Sequence, residues 1–157
     1  MTEPDPLIEM FSLAAIVSEL EGQTKDAVLT EMVGAAVGGG LLPRTRKAQV
    51  LAALEAREER GSTGLGRGIA IPHAKIPGLR RHAGVVARST GGIDYRAIDG
   101  ERVHVLVMLI SPESRPDEHL RALKWISGLA RDPDFTSFIR QARSAQDILD
   151  VLHERAG

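Results

Sequence analysis

The sequence predicts an α/β sandwich, with a mixed sheet of four or five strands packed between helices on both faces. Three observations lead there. Apolar segments of strand length alternate along the chain with longer segments of helical period. One of them, Val103 to Ile110, is nearly continuous in β-branched and aliphatic residues, the pattern of a strand covered on both sides. The 157 residues are enough for one domain with a real core, but not comfortably for two.

The elements follow in order. Residues 1–6 are acidic and broken by two prolines, so they read as a loose, disordered tail ahead of a single domain over 7–157. Leu7 to Leu20 is apolar with mixed period, and Ala14 to Ser18 reads as a short strand. Thr24 suits the N-cap of a helix to about Val37, with Ala27, Val28, Met32, Ala35 and Ala36 as its apolar stripe. Gly38, Gly39 and Gly40 end it. Leu41-Leu42-Pro43 is a connection, and Thr45 is expected to cap a second helix to about Arg60, packed through Ala48, Leu51, Ala52 and Leu54. Ile69 to Pro72 is too short for a helix and reads as extended. Gly84 to Ser89 is a strand, Gly91-Gly92 a turn, and Ile93 to Gly100 an irregular edge segment. After the Val103 strand, Ser111 to Arg115 is a loop, and Pro116 fits the first turn of a third helix to about Ala130. Its expected buried face is Leu120, Leu123, Ile126 and Leu129. Asp132-Pro133 breaks it. A short helix follows around Phe135 to Ala142, and Ser144 with Asp147 opens the last helix as a variant capping box.

Composition narrows the function. The chain is 43% hydrophobic and 26% charged, an ordinary soluble balance. A net charge of −1 supplies no global field for nucleic acid or an anionic membrane. The local basic groups at Arg44, Arg46 and Lys47 and at Arg80 and Arg81 read as solvated surface. With no cysteine, disulfides, thiolate catalysis and thiolate metal sites are excluded. The N-terminus is no signal peptide, and no apolar run approaches the roughly 20 residues that span a bilayer, so a cytoplasmic protein without membrane insertion is expected. At 3% aromatics, stacking on bases or sugars is not the main mode of binding.

The segment from Gly61 to His73 carries the chemistry. Gly61, Gly64, Gly66 and Gly68 make a permissive loop, and Ile69-Ala-Ile-Pro then stiffens the chain ahead of one histidine. A neutral imidazole at such a strand end is presented as a nucleophile. The glycines lack the Gly-Lys-Ser/Thr of a phosphate-binding P-loop. A dinucleotide fingerprint follows a strand and opens a helix, whereas this run follows a helix and opens a strand. Free backbone N–H groups in the loop are expected to form an anion nest. His119, in the first turn of the third helix, is a candidate second imidazole, and Arg57 a candidate bidentate partner for phosphoryl oxygens. No paired-histidine zinc motif is present, so no metal or other cofactor is expected. His82, His104 and His153 have no supporting constellation and read as structural or exposed.

These residues resemble a family. Arg57-Glu58, Ser62-Thr63-Gly-x-Gly-x-Gly68-Ile-Ala-Ile-Pro-His73, Ile98-Asp99-Gly100, the strand from Val103, Ser111-Pro112-Glu113 and His119-Leu120 together look like the fructose/mannitol-type enzyme IIA of the bacterial phosphoenolpyruvate-dependent phosphotransferase system. The similarity is greatest to its nitrogen-regulatory members and covers roughly residues 7–153. The resemblance implies a mixed α/β sandwich and a phosphohistidine. By position His73 is the acceptor, through Nε2 in family terms; His119 is the second histidine, Arg57 the neutralising arginine, and Thr63, Gly64 and Gly66 a loop bordering the phosphoryl group. It also implies HPr, or its nitrogen-branch counterpart, as donor, and a IIB protein or regulatory targets as onward partners. Two departures stand out. His104 occupies a usually acidic or neutral polar position. Glu118 precedes His119 where a small residue is frequent, and is expected to raise the pKa of His119 or to repel phosphate.

Overall fold

The computed structural model describes residues 9–156; the tail expected at residues 1–6 lies outside them. The chain runs β1 (Phe11–Val17), α1 (Lys25–Gly38), a 3₁₀ turn (Arg44–Arg46), α2 (Lys47–Glu59), β2 (Gly64–Gly66), β3 (Ile69–Ala70), β4 (His73–Ile76), β5 (Ala83–Ile93), β6 (Val103–Pro112), α3 (Pro116–Ala130), α4 (Pro133–Gln141) and α5 (Ala145–Ala156).

The sheet is mixed and has six strands, in the order β1-β5-β6-β3-β2 with β4 also paired to β6. It exceeds the expected four or five because the glycine loop itself folds into the sheet: Gly64–Gly66 turns back antiparallel on Ile69–Ala70. β3 and β4 both run parallel to β6. Pro72, which lies between them, has no N–H to give the ladder, but its carbonyl accepts from the Leu109 N–H at 2.9 Å and keeps the line in register. Gly91 and Gly92 are not the expected turn. They lie inside β5, where the pairing with β6 shifts register between Arg88 and Ile93, as at a bulge.

β6 alternates between two cores. Val105, Val107 and Leu109 face α3, α4 and α5, while Leu106, Met108 and Ile110 face α1 and α2. Each of these six is fully buried. Truncating one such Leu or Ile to Ala costs about 2–5 kcal/mol. This central strand fixes the distance between the helix layers, and therefore where α3 meets the start of β4.

Local chemistry sets the helix ends. Thr24 caps α1, its hydroxyl accepting from the Ala27 N–H at 3.2 Å. Thr45 does not cap α2. Pro43 starts a tight turn, closed by the Arg46 N–H on the Pro43 carbonyl at 3.0 Å, and Thr45 is spent inside it; Arg46 takes the cap position with no side-chain bond. Asp132 ends α3 and also caps α4, accepting from the Asp134 N–H at 3.0 Å. The Ser144 hydroxyl accepts from the Asp147 N–H at 3.1 Å, and Asp147 reaches back to the Arg143 N–H at 3.0 Å.

On α3 the buried stripe is His119, Ala122, Ile126, Leu129 and Ala130. Leu120, expected inside, is 52% exposed. Ile126 and Leu129 are buried as expected and Leu123 packs half-buried against the same core, but the stripe is wider than expected and a histidine, not Leu120, holds its first position. Among the described residues, no helix is long and apolar enough to cross a membrane.

Candidate active site

His73 opens β4, paired in register with Leu109. Its neighbours Ala74 and Ile76 are buried on the α1–α2 side, so strand alternation turns His73 toward α3. There its ring lies 5.8 Å, centre to centre, from that of His119, at an angle of 45°. Strand and helix, far apart in sequence, thus bring the two expected histidines together.

The Nδ1 of His73 is 2.7 Å from the carbonyl oxygen of Ile71. A carbonyl only accepts, so Nδ1 carries the hydrogen and donates it, and the lone pair of the neutral ring is on Nε2. Burial pushes the pKa of His73 below the ordinary histidine value; the Ile71 carbonyl pulls it back up, Arg57 and Arg60 push it down, and Glu58 pulls it up. The net effect keeps the ring uncharged near neutral pH.

His119 is buried, with Nδ1 2.7 Å from the Ser111 hydroxyl. Its pKa falls from 6.5 to about 4, first through burial and then through His73, Lys75 and His82. Glu118 does not raise it as expected. The Glu118 carboxylate is directed elsewhere, with Oε2 3.6 Å from Arg115 Nε and 3.7 Å from His82 Nε2.

Arg57 sits in the last turn of α2 and donates from Nη1 to the Gly61 carbonyl at 2.9 Å. One of its five N–H groups is used there, and its charge still reaches His73. It bridges the end of α2 and the start of the glycine loop.

The loop is braced from within. Thr63 is buried, and its N–H and hydroxyl both donate to the Glu58 carboxylate, the N–H at 3.1 Å. Lys25 Nζ lies 3.0 Å from the same carboxylate and 4.4 Å above the Tyr95 ring. The Tyr95 hydroxyl is 3.2 Å from that of Thr63. The Gly64 N–H donates to Ser62 Oγ at 3.0 Å, and the Arg67 N–H to Asp99 at 3.0 Å. These donors are therefore committed inside the protein. Of the loop N–H groups expected to form an anion nest, those of Thr63 and Gly64 are already bonded, and this part of the loop is a shaped wall. Gly64 is required by contact, since a Cβ there would stand 2.8 Å from the Cβ of Ala97. Gly66 is required by its φ of +91°.

Sequence reasoning gave three residues around the site no role there. Glu58 anchors the loop. Ser111 and His82 stand behind His119, with His82 Nδ1 2.8 Å from Ser111 Oγ. Strand alternation could have found Ser111, the next residue after Leu109 on the α3 side of β6. His104 Nδ1 contacts the Ser89 carbonyl at 3.0 Å and is held in the sheet by it.

Taken together, the site offers an uncharged imidazole with a free nitrogen, a second imidazole beside it and a guanidinium at its edge. That set suits transfer of an anionic group to nitrogen with little other covalent work from the protein.

Comparison with known proteins agrees. Residues 9–155 match the family described as phosphoenolpyruvate-dependent sugar phosphotransferase system, EIIA 2. A nitrogen regulatory protein of Bradyrhizobium diazoefficiens is 36% identical over 147 residues, covering 94% of each chain. The fructose-specific EIIABC component of Bacillus subtilis is 33% identical over 94% of this chain and 23% of its own. The crystal structure of the nitrogen regulatory protein IIA-Ntr from Neisseria meningitidis superposes with a TM-score of 0.85 at 29% identity, covering 94% of this chain and 99% of that one. A match over nearly the whole chain, on the fold and motifs described above, makes this protein a member of the EIIA type 2 family of the phosphoenolpyruvate-dependent sugar phosphotransferase system.

Proposed function

We propose that the protein is a cytoplasmic phosphocarrier that takes a phosphoryl group on Nε2 of His73. The observation that carries this reading is the bond from His73 Nδ1 to the Ile71 carbonyl, which leaves Nε2 bare on a ring whose pKa is depressed. Phosphorylated HPr, or its nitrogen-branch counterpart, is the donor. Nε2 attacks phosphorus in line; the new N–P bond forms as the donor's bond to phosphorus breaks, and that electron pair returns to the donor. Arg57 and His119 hold the equatorial oxygens, and Thr63, Gly64 and Gly66 shape the wall beside them.

The output is regulation, with the phosphorylation state changing which proteins the carrier binds. The similarity to nitrogen regulatory proteins, in sequence and in structure, favours it. The second reading is a sugar-specific IIA that passes phosphate to a IIB protein, favoured by the similarity to a fructose-specific component.

The test is incubation with phosphoenolpyruvate, enzyme I and HPr, followed by intact mass before and after mild acid. One phosphoryl group, stable in base, lost in acid and absent from His73→Ala, is the expected result. Undiminished labelling of His73→Ala would overturn the assignment, and no labelling of the wild type would leave an inactive interaction module. Transfer onward to a purified IIB protein would decide for sugar uptake.

A further inference from the structure

Behind His119 stands a row of polar side chains that phosphoryl transfer as described leaves without a task. Ser111, near the end of β6, is fully buried. Its Oγ lies 2.7 Å from His119 Nδ1 and 2.8 Å from His82 Nδ1. On the far side of the His82 ring, Nε2 is 3.7 Å from Glu118 Oε2. Both of those atoms are closed off from solvent and have no hydrogen-bond partner. The segment before β5, the end of β6 and the first turn of α3 each contribute to the row.

Serine has one hydroxyl hydrogen and two acceptor lone pairs; with both rings neutral and that buried hydrogen bonded within the row, Ser111 donates to one imidazole and accepts from the other. Two arrangements satisfy this. In the first, His82 Nδ1–H donates to Ser111, Ser111 donates to His119 Nδ1, and the hydrogen of His119 sits on Nε2. That arrangement sets the bare Nε2 of His82 against a carboxylate. In the second, His119 Nδ1–H donates to Ser111, Ser111 donates to His82 Nδ1, and His82 turns an N–H toward Glu118. A carboxylate repels a lone pair and attracts an N–H, so Glu118 selects the second.

We propose that Glu118, His82 and Ser111 are positioning residues that keep the ring hydrogen of His119 on Nδ1, so that Nε2 is bare in the resting protein and takes up a proton when His73 carries a phosphoryl group. The proton-uptake half rests on His73 being the acceptor. The proton comes from solvent onto the Nε2 lone pair, and no covalent bond changes within the row. The imidazolium then donates Nε2–H to a phosphoryl oxygen, while its Nδ1–H leads through Ser111 and His82 to the Glu118 carboxylate. In the resting protein His119 is held neutral by burial, by His73 and Lys75 on β4 and by His82. Arg115, 3.6 Å from Glu118, competes for the same carboxylate. A phosphoryl dianion close by outweighs these influences, because Coulomb attraction in a site of low polarity is strong. When the phosphoryl group leaves, the proton leaves with its cause.

Long-range ¹H–¹⁵N correlation spectra of the full chain labelled in histidine read the tautomer of each ring. The His119 signals are assigned by their loss in His119→Gln. At pH 7.5 the resting wild type is expected to show His119 with Nδ1 protonated and Nε2 bare. Glu118→Lys, a change on a half-exposed helix surface, is expected to reverse that tautomer, and Ser111→Ala to mix the two. After phosphorylation both nitrogens of wild-type His119 are expected to carry hydrogen. A resting His119 with its hydrogen on Nε2, or a Glu118→Lys spectrum unchanged from wild type, overturns the relay. A phosphorylated His119 with Nε2 still bare overturns the proton uptake. The resting spectra need no donor, so the tautomer is decided even if His73 refuses the label. Such a refusal strikes the carrier function and the uptake that rests on it, and is thereby distinguishable.

Discussion

The carbonyl of Ile71 accepts the Nδ1 hydrogen of His73 at 2.7 Å, across the intervening Pro72. The bond is local, so in the proposed transfer the rigid Ile71-Pro72 pair decides which nitrogen is offered to phosphorus. With the pKa of His73 below 6.5, the reactive neutral form persists under conditions where an ordinary histidine is already half protonated. Single-turnover transfer from phosphorylated HPr should therefore hold its rate as pH falls through 6.5 and drop only below it. A titration midpoint in the acceptor at or above 6.5 would contradict this. The phosphoryl group should be found on Nε2 by the same NMR experiment.

Arg57 ties α2 to the loop and also reaches His73 electrostatically. Replacing it with Ala removes transition-state charge stabilisation, for which a loss of about 10²–10³ in transfer rate is expected, as for a lost oxyanion donor. Arg57→Lys keeps the charge but not the fork, and should recover only part of the rate. Rapid-quench measurement with phosphorylated HPr checks both. A wild-type rate in Arg57→Ala would return Arg57 to a purely structural place at the end of its helix.

Glu58 holds three contacts at once, two donors of Thr63 and the ammonium of Lys25, and after burial its charge is the next influence that keeps the Tyr95 hydroxyl protonated. Glu58→Ala leaves Thr63 with unmet buried donors. The expected cost is about 2–3 kcal/mol in urea unfolding. Transfer should slow as well, because the loop beside His73 loses its brace. A variant as stable as wild type would show that the loop is held by its glycine contacts alone.

Much of the fold and site is legible in the chain, and what is not has physical reasons. Val103 to Ile110 reads correctly as a strand buried on both faces, because burial on both sides demands unbroken apolar residues. On α3 the expected Leu123, Ile126 and Leu129 do face the core, but Leu120 does not: its hydrophobicity outranks that of His119 and Ala122, although those two point inward. The strands Gly64–Gly66 and Ile69–Ala70 are too short to show any period. Glu58 and Thr63 meet only because the loop closes on itself, and nothing in a linear pattern announces a contact of that kind. The proposed set of His73, His119 and Arg57 comes from its motifs, and the fold brings the two histidines together. The row behind His119 comes from no motif, because its partners lie on three separate elements.

Gly64 tests the packing of the wall. A methyl group there would stand 2.8 Å from Ala97 Cβ and 2.9 Å from its Cα, and a backbone atom cannot yield cheaply. Gly64→Ala should lower stability by about 1–3 kcal/mol, as overpacking does. The same change at Gly91, where open space surrounds the position, should be nearly silent. Thermal melts of the two variants decide. Equal effects would mean that the loop moves away from Ala97 without cost.

His119 also makes stability depend on pH, in a direction set by which state of the chain binds its proton more tightly. Its pKa is about 4 in the folded chain and near 6.5 when unfolded. Between those values the unfolded chain binds the extra proton, so stability rises with pH there. The contribution is complete above pH 6.5 and is lost as pH falls toward 4. Its size is about 3 kcal/mol, since each tenfold change in proton affinity is worth about 1.36 kcal/mol. His73, also depressed, acts in the same direction. Urea midpoints measured from pH 7.5 down to 4.5 should therefore fall, and His119→Phe, which has no proton to gain, should flatten the slope. A slope equal to that of wild type would mean that His119 does not titrate below its ordinary range. Phosphorylation should invert the dependence, because an imidazolium that is welcome beside a phosphoryl group no longer opposes protonation of the folded chain.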